Sequence, residues 1–116
     1  MEMSPLIRKR TIAATVCGLA LLFAGTRVFA AKPGNAEKGK EVFEQCSVCH
    51  NSDSEEKKMG PGLKGLFKRA KMANGKATNE ANVRAMVNDG GNGMPAFSDI
   101  LSDDERDDLI AFLKTL

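Results

Sequence analysis

Cys46, Cys49 and His50 stand together in the stretch FEQCSVCHNSD, Phe43 to Asp53. His50 is the only histidine of the chain, and the two cysteines are two of its three. Three chemistries compete for such a cluster: a metal site, a redox disulfide, or covalent attachment of a cofactor. Structural zinc takes four ligands, and only three of the usual N and S kinds stand here. A thioredoxin-like C-x-x-C wants a βαβ setting, and no segment of this chain alternates convincingly with period two. The spacing Cys46-Ser47-Val48-Cys49-His50 is instead that of a c-type haem attachment site. Two thiols one helical turn apart can each add across a vinyl group, giving two thioethers. The adjacent imidazole is then placed to ligate iron from the same side.

Octahedral haem iron has a sixth position opposite His50, and the stretch GGNGMPAF, Gly90 to Phe97, offers Met94 for it. Pro95 disfavours helical geometry at Met94 and keeps it extended. Gly90, Gly91 and Gly93 let the backbone approach a flat ligand. A His/Met pair raises the reduction potential and leaves no open position for oxygen. The bland alternative for Met94 is a gap-filling core methionine. Among the competitors, Met86 falls on an apolar helix face and reads as core. Met72 reads as a surface or packing residue, and Met59 precedes GPGL on the proximal side.

Three helical segments must position these groups. The first is predicted over about Ala36 to Val48, with Asn35 as N-cap and Glu37 in the first turn. Gly39, Val42 and Phe43 share one face of it. The second runs from about Glu80 to Asn88, capped by Thr78 or Asn79. Its apolar set is Val83, Met86 and Val87, and Gly90 or Gly91 is available for a left-handed C-terminal residue. The third opens on Ser102-Asp103-Asp104-Glu105, a capping box whose acids suit the positive helix end. Leu109, Phe112, Leu113 and Leu116 make its apolar stripe, with Arg106, Asp107, Asp108 and Lys114 off it. Between the first two helices, Asn51 to Ala77 is a Gly- and Lys-rich loop in which LKGLFKRA is expected to make a helical turn. A loop this long wraps something or is functional. No strands are expected.

The start of the chain belongs to a different physics. Arg8, Lys9 and Arg10 precede an apolar run from Thr11 to Gly25, and Val28 and Ala30 are the small residues a signal peptidase reads. This order predicts a secretory signal peptide over residues 1–30. The run is shorter than the ~20 residues of a membrane span; an uncleaved anchor is the alternative. Residues 31–116 then form the one domain. The whole chain has 17 basic and 15 acidic residues; residues 1–30 take four and one of them, so 31–116 carries a net charge of −1. A nucleic-acid partner would need a basic stripe, and none survives. Cys17 leaves with the signal. A domain of this length, with no Trp or Tyr and only Phe43, Phe67, Phe97 and Phe112 as large aromatics, buries a modest core. It would gain from a large apolar ligand.

From about Gly34 to Leu116 the sequence resembles the monohaem class I c-type cytochromes. The match is an ordered set: a first helix with Gly39 and Phe43 ending in Cys46-Ser47-Val48-Cys49-His50, then Gly60-Pro61-Gly62-Leu63, then Gly93-Met94-Pro95-Ala96-Phe97, then the amphipathic last helix. The resemblance implies an all-α cytochrome c fold of three to four helices around one covalently bound haem c. It implies that Cys46 and Cys49 tether the haem and that His50 and Met94 ligate iron. Pro61 would offer its carbonyl to the Nδ1–H of His50. Arg69 falls where the family often places an arginine near a haem propionate, although Lys68 stands where a Gly is common and no Trp or Tyr follows. The first and last helices would cross near Gly39, with Phe43 against Leu109 and Phe112.

The expected function is that of an exported electron carrier, periplasmic and monomeric, without catalysis or stable membrane insertion. Its partners would be redox proteins: a donor dehydrogenase or membrane cytochrome complex, and an acceptor oxidase or reductase. Lys57, Lys58, Lys64, Lys68, Lys71 and Lys76, with Arg69, crowd one loop, while acids crowd the last helix. That charge is either a docking patch or solvated surface. The rival readings are a haem enzyme or gas-binding protein with a labile sixth ligand, and a fixed haem subunit of a larger oxidoreductase.

Overall fold

Asn35 accepts hydrogen bonds from the backbone N–H groups of Glu37 and Lys38 and so starts the first helix, α1, Ala36–Phe43. The computed structural model describes residues 32–116. The expected signal segment, with Cys17, lies outside them. A short 3₁₀ turn follows at Leu66–Lys68, within the stretch expected to turn. Helix α2 spans Glu80–Asp89, capped by Asn79. Helix α3 spans Asp103–Leu113, where Ser102 and Glu105 complete the capping box in both directions. Among the described residues there is no strand, only two isolated bridges, Lys71–Ala77 and Gly91–Met94.

Helix α1 is shorter than its sequence pattern suggested. Beyond Phe43 the chain continues in tight turns to Cys49. The Ser47 hydroxyl donates to the Glu44 carbonyl at 2.6 Å, a bond that competes with the regular ladder. Lys58 Nζ donates to the Ser47 carbonyl at 2.8 Å. The turn therefore ends facing the next loop and not in line with the helix.

Helices α1 and α3 cross where α1 presents a glycine to the backbone of α3. A Cβ on Gly39 would lie 1.9 Å from the Asp108 carbonyl oxygen and 2.8 Å from the Phe112 Cβ. Gly34 meets α3 in the same way, its Cβ position 2.0 Å from the Asp107 carbonyl oxygen. The close approach lets the Phe43 and Phe112 rings meet at 5.3 Å, tilted by 54°, a favourable aromatic geometry. Phe43, Leu109, Ile110 and Leu113 are buried there, and Leu66, Val83, Val87 and Leu101 extend the core to the 3₁₀ turn, α2 and the loop before α3.

Three expectations need correction. Ile110, outside the predicted stripe, is buried, while Phe112 and Leu116 are half-buried; the stripe is broader because α3 also covers α2. Met86 is half-buried instead of core, and its sulfur accepts from Asn74 Nδ2 at 3.8 Å. Arg106 and Asp107 are not solvent-facing: Asp107 pairs with Arg84 of α2, and the Arg106 side chain is 13% exposed.

Candidate functional site

The turn after α1 sets the candidate attachment residues on one short coil. Cys49 N–H donates to the Cys46 carbonyl at 3.1 Å and His50 N–H to the same carbonyl at 3.0 Å. This bifurcated turn keeps the two thiols and the imidazole on adjacent steps of helical backbone. Both cysteines are free and half-buried. Burial, with a smaller contribution from Cys49 nearby, pushes the Cys46 thiol up to about 11.

The imidazole is oriented from behind. His50 Nδ1 lies 2.8 Å from the Pro61 carbonyl oxygen, so the Nδ1–H donates there and Nε2 carries the free lone pair. The loop that supplies Pro61 is fastened by Gly60 N–H to the Cys49 carbonyl at 2.8 Å and by Leu63 N–H to the Asn51 carbonyl at 2.7 Å. Gly60 has a role that the sequence did not disclose. A Cβ there would stand 2.4 Å from His50 Cε1 and 2.7 Å from Nδ1. Only glycine leaves room for the ring in this pose. The one available signal was the Gly60-Pro61-Gly62 spacing, which by itself does not say which ring it borders.

Met94 is presented by a hairpin. Gly91 N–H donates to the Met94 carbonyl at 2.9 Å, and Met94 N–H returns the bond to the Gly91 carbonyl at 3.0 Å. Asn92 and Gly93 between them have φ of 53° and 90°, the positive values that a type I′ turn requires at both central positions. The Asn-Gly pair is the strongest short hairpin signal in a sequence, and it was available here. Gly90, with φ 65° and ψ −156°, is not the left-handed residue expected at the end of α2. It adopts an extended mirror conformation open to glycine, and its Cβ position lies 2.4 Å from the Met94 carbonyl oxygen.

Cys46 and Met94, far apart in sequence, both pack half-buried against the common core, as do Val42, Leu63, Phe67, Met72 and Phe97. Arg69 does not join them. Its guanidinium donates to the Gly62 carbonyl at 3.1 Å and to the Lys64 carbonyl, with Glu55 4.0 Å away. It braces the Pro61 loop from outside. The six lysines of the loop are exposed. Lys64 and Lys68, with Asp53, Glu55 and Glu56, line an open groove of about 590 Å³ that contains none of the attachment residues.

These residues fit a haem. Two free thiols stand at the required spacing, an imidazole has Nδ1 engaged and Nε2 free, and a rim of half-buried apolar side chains is left around a small core. The family model Cytochrome c matches residues 36–116. The chain is 44% identical over 72 residues to cytochrome c6 of Leptolyngbya boryana, an alignment covering 61% of this chain and 80% of that protein. Its fold is similar to that of cytochrome c6 from the diatom Phaeodactylum tricornutum, with TM-score 0.57 and 25% identity over 71% of this chain and 93% of that one. It is also similar to cytochrome cH from Methylobacterium extorquens, with TM-score 0.55 and 25% identity over 72% of this chain and all of that one.

Proposed function

The chain belongs to the cytochrome c family, as a monohaem class I c-type cytochrome with one covalently attached haem c, and from that premise we propose that it is an exported carrier of single electrons between redox proteins. When bound, the haem supplies a one-electron couple between ferric and ferrous iron. Cys46 and Cys49 would tether it by thioethers, and His50, through Nε2, and Met94 would hold its iron. Pro61 holds the His50 tautomer, and Gly60 leaves the ring its space.

The observation that carries this reading is the 2.8 Å contact between His50 Nδ1 and the Pro61 carbonyl. It commits one ring nitrogen to the protein and frees the other for iron. Two protein ligands would leave the iron no site for substrate, which suits a carrier and not a catalyst. The cytochrome c6 relative supports a carrier role. The signal-like residues 1–30 support export, to a periplasm in a bacterial host, and among the described residues no helix is long and apolar enough to cross a membrane.

The test is a redox titration of the purified haem protein while following the sulfur-to-iron charge-transfer absorption. A single one-electron transition with that band present, and lost in Met94→Ala, is expected. Rapid, tight binding of carbon monoxide to the ferrous wild type would turn the reading toward a haem enzyme or gas-binding protein.

A further inference from the structure

Arg106 is a cation that α3 turns inward. Its side chain is 13% exposed, although arginine is almost never fully buried unless paired. Nη1 donates to the Ser98 carbonyl at 3.2 Å, and Nη2 holds Asp103 at the start of the same helix. Ser98 is the fourth residue after Met94. It is fastened from the other side as well: its N–H donates to the Asn88 carbonyl at 3.4 Å, and the Phe97 N–H donates to the Val87 carbonyl at 3.0 Å. Residues 97–98 are therefore pinned between the last turn of α2 and the first turns of α3.

Upstream, the Gly91–Met94 bridge pins the other end. Only Pro95 and Ala96 lie between the two anchors, and proline fixes its own φ. Two polar atoms complete the picture. Arg106 Nε and Asn88 Oδ1 are both buried without a hydrogen-bond partner. One is a donor and the other an acceptor, and both belong to residues already bonded to the Ser98 backbone.

We infer that Arg106 is the positioning residue for Met94. Its guanidinium bonds the Ser98 carbonyl and reaches Asn88 Oδ1 from Nε across one water molecule. It thereby locks the distal loop to α2 and α3 and keeps the thioether at the iron. The inference rests on Met94 being the sixth ligand.

The experiment is competition by free imidazole for the iron of the haem-loaded ferric protein, read as loss of the sulfur-to-iron band. Arg106→Met keeps the apolar stem and removes the guanidinium. Losing a hydrogen bond to a charged donor should let imidazole bind about tenfold tighter. Arg106→Lys should recover part of that difference, and Asn88→Ala should shift it in the same direction by less. Asp103→Asn, which leaves the Ser98 bond in place, should match the wild type. All titrations run well below the unfolding temperature, where a merely structural loss moves the melt but not the imidazole affinity.

An Arg106→Met affinity within about twofold of wild type, with the band intact, overturns the clamp and leaves Met94 standing as ligand. A wild type that lacks the band and is unchanged by Met94→Ala overturns the ligand reading, and the clamp with it. If Arg106→Met does not load haem, Arg106→Lys and Asn88→Ala decide by the same comparison: tighter imidazole binding in both supports the clamp, wild-type affinity in both overturns it.

Discussion

Replacing Gly39 with Ala sets two physical effects against each other, and their signs differ. Gly39 lies inside α1, where alanine is the better helix former by ~1 kcal/mol. Propensity alone therefore predicts a more stable protein. Packing predicts the reverse. The added Cβ would stand 1.9 Å from the Asp108 carbonyl oxygen and 2.5 Å from its carbon. These are backbone atoms of α3 and cannot swing aside as a side chain does. Restoring an ordinary C···O distance of about 3.3 Å from 1.9 Å moves the helices apart by ~1.4 Å. A gap of roughly 1 Å already forfeits up to about half of a dispersion contact. Burying a Leu or Phe side chain is worth ~1.5–3 kcal/mol. Loosening Phe43, Leu109 and Phe112 by half thus costs ~3 kcal/mol. After the propensity gain, the net loss is ~2 kcal/mol. In a domain this small that lowers the melting temperature by about 10 °C. The assay is thermal unfolding of the haem-loaded protein followed by far-ultraviolet dichroism. A Gly39→Ala protein as stable as wild type, or more so, would refute the reasoning, because it would mean that α1 and α3 do not cross at backbone contact.

Other consequences are quicker to state. Asn35→Ala removes the acceptor for two N–H groups of α1 and should cost about 1 kcal/mol in denaturant melts. Gly60→Ala drives a Cβ into the His50 ring; the ring must leave the Pro61 carbonyl, and the reduction potential should shift from wild type in voltammetry. Glu80 is held below its ordinary 4.5 by the hydrogen bond from Lys114. Because the folded value is the lower one, the α2–α3 tie is fully present above pH 4.5 and is lost as pH falls through the folded value; Glu80→Gln should flatten the stability profile only in that acid range. Glu105 is likewise held below its ordinary value by the Ser102 N–H, so a Glu105→Gln melt should differ from wild type near neutrality and converge with it in acid. A Cys46→Ala/Cys49→Ala chain without haem should be largely unfolded, which native-like helical dichroism would contradict.

The helices were legible because their ends are written in residues with one use each. Asn35, Asn79 and Ser102 cap by side-chain acceptance, and a cap is a local event. The attachment coil was legible for a similar reason: Cys46, Cys49 and His50 lie within five residues, so spacing alone defines their geometry. What spacing cannot give is which surfaces touch after the chain turns back. Gly34 and Gly60 look alike in the sequence, yet one makes room for the Asp107 carbonyl and the other for the His50 ring. Arg106, Asp107 and Asp108 read as the wet face of an amphipathic helix. In the fold, Arg106 reaches the Ser98 carbonyl, Asp107 pairs with Arg84, and Asp108 accepts from the Asn35 N–H. Polar character predicted exposure, and partners overruled it.

That overruling follows from the size of the core. The buried side chains of the core are aliphatic apart from Phe43. Phe67, Met72, Met94, Phe97 and Phe112 are only half-buried, and Val48, Met59 and Ile100 are exposed. Such a core leaves conformational entropy weakly opposed. Two things make up the difference. One is the haem, whose apolar faces can cover the rim that these residues leave open. The other is a set of polar ties between α1, α2, α3 and the Met94 loop: Asn35 with Asp108, Arg84 with Asp107, Lys114 with Glu80 and Arg106 with Ser98. On the proposed ligation, the ties and the cofactor are coupled: loosening the bond at Ser98 would free the segment that carries Met94. A core with apolar bulk to spare could hold Met94 by packing alone. In this one packing is supplemented by the bonds of the Gly91–Met94 hairpin and of Arg106 with Ser98, so on the proposed ligation by Met94, variants that leave every apolar contact intact should still alter the iron's sixth position.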